Sequence, residues 1–145
     1  MPNELVIRYE DARMAAEAVV KAAGNRTIAV SVTDPRGDVI YSIRQDGVSA
    51  VDVRNAERKA YTAAFIGRDS ALWRNQITHD GRTVADWSDV NMTTLHGGWT
   101  LRRDSQVIGG LGVAGTGDED RDEQLALKGA EAAAQGLQVN IKPAG

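Results

Sequence analysis

Seven residues near the C-terminal end, Gly109-Gly110-Leu111-Gly112-Val113-Ala114-Gly115, constrain this chain more than any other stretch. Gly110, Gly112 and Gly115 fit the G-x-G-x-x-G spacing of a dinucleotide-binding turn. That turn works because its glycines let a pyrophosphate approach the positive N-terminus of a helix. The surroundings oppose it here. The next helix opens Asp118-Glu119-Asp120-Arg121-Asp122-Glu123. Its acids would repel a pyrophosphate and suit the N-terminus of a free, solvated helix. The fingerprint also needs a later strand carrying an acid for the ribose, and no residue from Gly136 to Gly145 is acidic. No nicotinamide or flavin cofactor is expected.

A strand accounts for the run better. Side chains alternate along a strand, so Val107, Gly109, Leu111 and Val113 share one face, and Ile108, Gly110, Gly112 and Ala114 the other. Beyond Ile108 that second face is almost bare. A bare strand face admits a closely packed helix or a ligand against the backbone, and both readings stay open.

Size and composition point to one soluble domain. A chain of 145 residues with 42% hydrophobic and 26% charged residues can bury an adequate single core. A net charge of -3 gives no basic face for nucleic acid. No apolar run reaches the roughly 20 residues of a membrane span, and Met1-Pro2-Asn3-Glu4 does not open a secretory signal. The absence of cysteine excludes disulfides and thiolate metal sites and is compatible with a cytoplasmic protein.

Periodicity supplies the elements. Ala12, Ala15, Ala16, Val19, Val20 and Ala23 predict a helix over 8–23 that stops at Gly24-Asn25. Strands are expected over 27–33, with Ile28, Val30 and Val32 on one face, and over 38–44. Asp34-Pro35-Arg36-Gly37 turns between them, and Asp46-Gly47 breaks the pattern. A second helix over 51–66 carries the small stripe Ala56, Ala60, Ala63 and Ala64, and Gly67 ends it. Residues 68–95 show no clear period beyond a helical turn near Ser70 to Asn75, so a long loop is expected there. A hairpin over Trp99–Arg103 and Gln106–Ala114 and a helix over 119–135 complete the order. Hairpin-linked strands separated by helices predict an α+β fold, an antiparallel sheet flanked by helices. A single domain over 1–145 follows, with its core at about 8–135 and a tail over 136–145.

Three blocks, in order, carry a family resemblance. Ile28-Ala29-Val30-Ser31-Val32-Thr33-Asp34, Gly37 and Arg44-Gln45-Asp46-Gly47 form the first. Ala56-Glu57-Arg58-Lys59-Ala60-Tyr61-Thr62-Ala63-Ala64-Phe65 forms the second. Gly97-Gly98-Trp99-Thr100-Leu101, the run from Val107 to Gly115, Asp122 and Gly129 form the third. Together they resemble the haem-degrading-domain family of GlcG-like proteins, haem-binding sensors and the C-terminal domain of some corrinoid adenosyltransferases. The resemblance implies a single GlcG-like domain with a profilin-like α-β-α sandwich of about five strands. It also implies a homo-oligomer (dimer, tetramer or octamer) and a small-molecule ligand, with haem the family-based cofactor candidate. The chain departs from the family pattern at Thr100, where proline is usual. It also has no histidine before His79, whereas haem-binding relatives use one associated with the first helix. Met14, in that helix, reads as core filling.

Several residues are candidates for chemistry. Arg54 and Arg58 sit one helical turn apart, with Lys59 adjacent. Arg54 is expected to pair with Asp52, Glu57 or the acidic last helix. Arg58 and Lys59 either pair likewise or clamp a carboxylate or haem propionate. His96, beside Gly97 and Gly98, is either a hydrogen-bonded surface histidine or an acid/base near a ligand held close to the backbone. His79 and His96 have no metal-site spacing, and no metal is expected. Tyr61, Phe65, Trp87 and Trp99 either serve the core or wall a pocket for a flat ring. Asp34 and Asp46 shape turns.

These readings lead to two functional expectations. The first is a binding module for a flat acidic ligand, haem or another tetrapyrrole, held near the bare strand face by Arg58, Lys59, Tyr61, Gly97, Gly98, Trp99, Gly110 and Gly112. The alternative is a cofactor-free lyase or isomerase for a small hydroxy or aromatic acid, with His96 as acid/base and Arg58 as carboxylate anchor. An oligomeric accessory protein is the further alternative. Neither nucleic acid nor membrane is an expected partner.

Overall fold

The computed structural model describes residues 6–137. Most of the expected tail and the first residues of the chain lie outside that range. The order is α1 (Tyr9–Ala23), β1 (Ala29–Thr33), β2 (Val39–Arg44), α2 (Ala50–Ile66), α3 (Ser70–His79), a 3-10 turn (Val84–Trp87), β3 (Gly98–Arg103), β4 (Gln106–Ala114) and α4 (Glu119–Leu137). The strands form one antiparallel sheet in the order β2-β1-β4-β3. Among the described residues the sheet has four strands where about five were expected. Residues 88–95, between the 3-10 turn and β3, are folded by short local hydrogen bonds and not by a ladder. There the Asp89 carboxylate accepts from the Asn91 N–H, and the Thr93 hydroxyl accepts from the Leu95 N–H.

α2 covers one face of the sheet, and α1 and α4 cover the other. The main core fills the second side, with Val19, Ile28, Val30, Val32, Leu101, Leu111 and Val113 all fully buried. Each such aliphatic side chain contributes about 1.5–3 kcal/mol by leaving water. α1 and α4 cross closely because Gly129 has no side chain. A Cβ there would lie 2.6 Å from Val19 and 2.7 Å from Leu111.

The glycine face of β4 is where α2 sits. A Cβ on Gly110 would lie 2.1 Å from the Ala60 carbonyl oxygen, and one on Gly112 2.1 Å from that of Ala56. Of the two readings of the bare face, the close helix is the one realised. The alanine stripe of α2 is its complement, since Ala56, Ala60, Ala63 and Ala64 are all buried. One detail of the alternation is reversed. A bulge in the β3–β4 pairing skips Ile108, so Ile108 joins Leu111 in the main core, while Val107 approaches the end of α2 at Gly67. An extra residue on one strand changes the phase of everything beyond it.

Local chemistry fixes the ends of these elements. Ser49 caps α2 by accepting from the Asp52 N–H at 3.2 Å, and Gly67 ends it in the left-handed conformation at φ 75°. The Asp34 carboxylate accepts from the N–H groups of Arg36 and Asp38, so Asp34 does shape its turn. Thr100, where the family usually has proline, donates its hydroxyl to the Ala63 carbonyl at 2.7 Å and ties β3 to α2.

The expected long loop is more ordered than its composition suggested. α3 runs for ten residues where only one helical turn was expected. Asp69 caps it by accepting from the Leu72 N–H at 2.8 Å. Its stability is tertiary: Trp73 and Ile77 pack with Met92 in a satellite cluster, and Trp73 meets Trp87 edge-on at 5.2 Å. Too few apolar positions recur to make that helix visible as a period.

Candidate functional site

α2 presents two stripes. The inner one is alanine. The outer one is Arg54, Arg58, Tyr61 and Phe65, spaced i, i+4, i+7 and i+11 and spanning about 16 Å along the axis. Beside this outer stripe lies a cleft of about 400 Å³, lined by residues that include Gly37, Asp38, Arg54, Glu57, Arg58 and Tyr61. The β1–β2 turn closes one side. Gly37, at φ 88°, lies against the Tyr61 ring, and a Cβ there would fall 2.3 Å from it. The segment after the 3-10 turn closes the other side through Asn91.

Tyr61 is held firmly. Its hydroxyl donates to the Asp89 carboxylate at 2.6 Å, and its ring lies parallel to that of Phe65 with centroids 5.9 Å apart. The hydrogen bond to Asp89 pushes the Tyr61 phenol above its ordinary value, with help from burial and from the charges of Asp89 and Asp38. The same bond, with that from the Asn91 N–H, holds the Asp89 carboxyl low. Phe65 is 57% exposed, unusual for a phenylalanine.

Arg58 is half-buried and Arg54 exposed. Among the described residues neither guanidinium is engaged by a carboxylate, so the pairing expected for Arg54 with Asp52, Glu57 or the last helix does not form. Lys59 behaves differently. It is 2% exposed, and its ammonium donates to the Val113 carbonyl at 2.8 Å and to Asp122 at 3.1 Å. Asp122 in turn accepts from the Thr116 hydroxyl at 2.6 Å. Lys59 thus faces the sheet and α4, away from the Arg58 cleft.

Gly97, Gly98, Gly110 and Gly112 also lie away from that cleft. Gly98 sits under α2, where a Cβ would be 2.6 Å from the Lys59 carbonyl oxygen. The N–H groups of Gly97 and Gly98 both donate to the Ser70 hydroxyl, at 2.9 and 3.0 Å, and Ser70 donates to Glu123 at 2.6 Å. The aromatic residues separate too. Trp99 packs on the main core, Trp87 and Tyr61 both pack against the α3 cluster, and of the four only Tyr61 lines the cleft, with Phe65 stacked beside it. Met14, read as core filling, is 47% exposed on α1.

His96 belongs to a second cluster, at the start of α4. Its Nδ1 lies 2.7 Å from Asp120, and its backbone N–H donates to Glu119 at 3.0 Å. Arg74 pairs with Glu119 at 2.8 Å. Burial pushes the Glu119 carboxyl up, but hydrogen bonds from Arg74 and His96 and their charges outweigh it, leaving the group below its usual range. Arg74 Nη2 also lies 3.4 Å from His96 Nδ1. Nε2 is buried without a hydrogen-bond partner. His79 stands apart, exposed at the end of α3. No group of three metal-ligating side chains occurs among the described residues.

The acidic turn of α4, read as solvated, is therefore a hub. Glu119 holds Arg74 and His96, Asp122 holds Lys59, and Glu123 holds Ser70. Sequence reasoning missed this because a run of acids looks the same whether water or protein faces it. The one available signal was that Asp122 belongs to the third block.

The sequence matches the family model of HbpS-like haem-degrading proteins over residues 7–131. The chain belongs to that family. It is 29% identical to protein GlcG of Escherichia coli K12 over 90 residues, which cover 62% of this chain and 66% of GlcG. The match thus spans slightly under two thirds of that relative's length. A solved structure of a double mutant of Streptomyces reticuli HbpS has a TM-score of 0.81 at 28% identity, covering 89% of this chain and 88% of that one. The PduOC:heme complex also gives a TM-score of 0.81, at 23% identity, covering 94% of this chain and 99% of that one, and shares the fold. No helix among the described residues is long and apolar enough to cross a membrane.

Proposed function

We propose that this HbpS-like protein binds a flat, carboxylated small molecule, haem or another tetrapyrrole, on the outer face of α2. The outer stripe carries the proposal: two guanidiniums free of carboxylate partners line a cleft with Tyr61, whose ring lies parallel to that of Phe65 one turn further on. Guanidinium forks suit carboxylates, and exposed ring faces suit a flat macrocycle. The family's haem-degrading description and the haem in the PduOC complex support the tetrapyrrole class.

The residues fit the carboxylates and the ring of haem but not its iron. No histidine, cysteine or methionine lines the cleft. The Tyr61 hydroxyl is committed to Asp89, which disfavours the phenolate that would ligate iron. No iron-centred chemistry is assigned to this site.

The acid/base alternative needs His96 and Arg58 on one substrate. They lie in separate clusters, and Nε2 of His96 is buried. A homo-oligomer is supported by the exposed apolar side chains Val39, which lines the cleft, and Phe65, which ends the outer stripe of α2.

A haemin titration followed by absorption tests the proposal. The wild type is expected to give a saturable Soret shift. Arg58→Ala weakens it roughly tenfold, the scale of one charge-assisted hydrogen bond, and His96→Ala leaves it unchanged. No saturable shift, or a shift lost only with His96→Ala, overturns it.

A further inference from the structure

The α2 cleft is not simply cationic. Two acids, Asp38 and Glu57, line it together with Arg54 and Arg58. Glu57 is half-buried and, like the two arginines, makes no ion pair among the described residues. The site thus holds two charges of each sign. A pure polycarboxylate would be attracted by the arginines and repelled by the acids. A ligand carrying both carboxylates and N–H donors satisfies all four.

Resting on the tetrapyrrole reading above, we propose that the cleft takes an open-chain, metal-free tetrapyrrole, with its carboxylates on Arg54 and Arg58 and the N–H groups of its terminal rings toward Glu57 and Asp38. A metalloporphyrin has no pyrrole N–H to donate, a free-base porphyrin points its N–H groups into the centre of its own ring, and no histidine, cysteine or methionine lines this cleft to hold a metal. An open-chain tetrapyrrole suits the site best, because its terminal rings keep donors and can bend to meet an acid at the cleft edge. The Asp89–Tyr61 bond serves the same end. It keeps the phenol neutral and in place as a ring wall.

The experiment compares three probes on the full chain: haemin, free-base protoporphyrin IX and biliverdin, each titrated by quenching of tryptophan fluorescence. Biliverdin is expected to bind at least tenfold tighter than haemin, with protoporphyrin no tighter than haemin. Glu57→Gln is expected to reduce the biliverdin-to-haemin ratio several-fold, weakening biliverdin by loss of an N–H acceptor and tightening haemin by loss of a repelling charge. This variant removes a charge from a half-buried side chain with no ion pair, so it should fold. Haemin binding as tightly as biliverdin, or a ratio unmoved by Glu57→Gln, overturns the metal-free inference alone. No saturable binding of any probe overturns the tetrapyrrole reading and this inference with it.

Discussion

The two faces of α2 differ more than any other two regions of this molecule. On the inner face every position is settled by contact. Alanines lie on glycines with backbone atoms so close that a single methyl has no room, and Lys59 is neutralised between a carbonyl and Asp122. On the outer face, one residue away along the chain, Arg58 has no carboxylate and Phe65 has its ring in water. A buried ion pair must be matched atom for atom because desolvation is costly. An exposed guanidinium without a partner costs little, so its retention needs no structural reason. The inner face therefore explains the fold, and the outer face is free to carry function.

The largest effects should come from filling the inner face. Gly112→Val is expected to abolish cooperative unfolding, since even its Cβ would lie 2.1 Å from the Ala56 carbonyl oxygen. Gly112→Ala should survive with a loss of about 3 kcal/mol or more, read by urea denaturation. A Gly112→Ala protein of unchanged stability would show that α2 can lift away, and the contrast between the faces would fail. Next in size is Lys59→Met, which leaves Asp122 buried without its cation. The expected cost is about 3–5 kcal/mol, largely recovered in the double variant Lys59→Met/Asp122→Leu. A single variant as stable as the wild type would mean that water reaches Asp122.

The outer face should respond in the opposite way. Arg58→Ala is expected to leave stability within about 0.5 kcal/mol while weakening haemin roughly tenfold. Paired with Lys59→Met, it separates two neighbouring cations by readout: one moves the unfolding midpoint, the other the binding curve. If Arg58→Ala unfolds the protein instead, its guanidinium is structural and the outer stripe loses its meaning.

The parts legible in the sequence are those where one physical cause dominates. The helical stripe of α1, the alternation of Ile28, Val30 and Val32, and the Asp34 turn each follow from a period or a local hydrogen bond. The glycine face of β4 was legible as a bare surface. Its covering by α2 could be weighed but not decided, because absence of a side chain has no direction. The bulge at Ile108 was invisible, since the residues on both sides of it are apolar. Lys59 and Arg58 are both cations in one block, and only the 100° step between them on the helix sends one inward. Asp120, Asp122 and Glu123 are likewise one acidic run that the fold divides among His96, Lys59 and Ser70.

The smallest expected effect tests the rim of the outer face. The Tyr61–Asp89 bond lowers the pKa of Asp89 and raises that of Tyr61. Asp89 is depressed in the folded state, so its contribution is present above the unfolded carboxyl value and is lost as pH falls through the folded one. Tyr61 is raised, so its contribution is present below the ordinary phenol value and is lost as pH rises through the folded one. The bond therefore acts across the neutral range and fades at both ends. Asp89 is only half-buried, so water screens the bond, the effect on stability is small, and the clearer signal is spectroscopic. In an alkaline titration followed by phenolate absorbance, one of the three tyrosines should ionise late. Tyr61→Phe should remove that late step, and Asp89→Asn should move it down among the others. If the late step persists in Asp89→Asn, the delay comes from burial of the ring. Tyr61 would then be held by packing against Gly37, not by a hydrogen bond at the cleft edge.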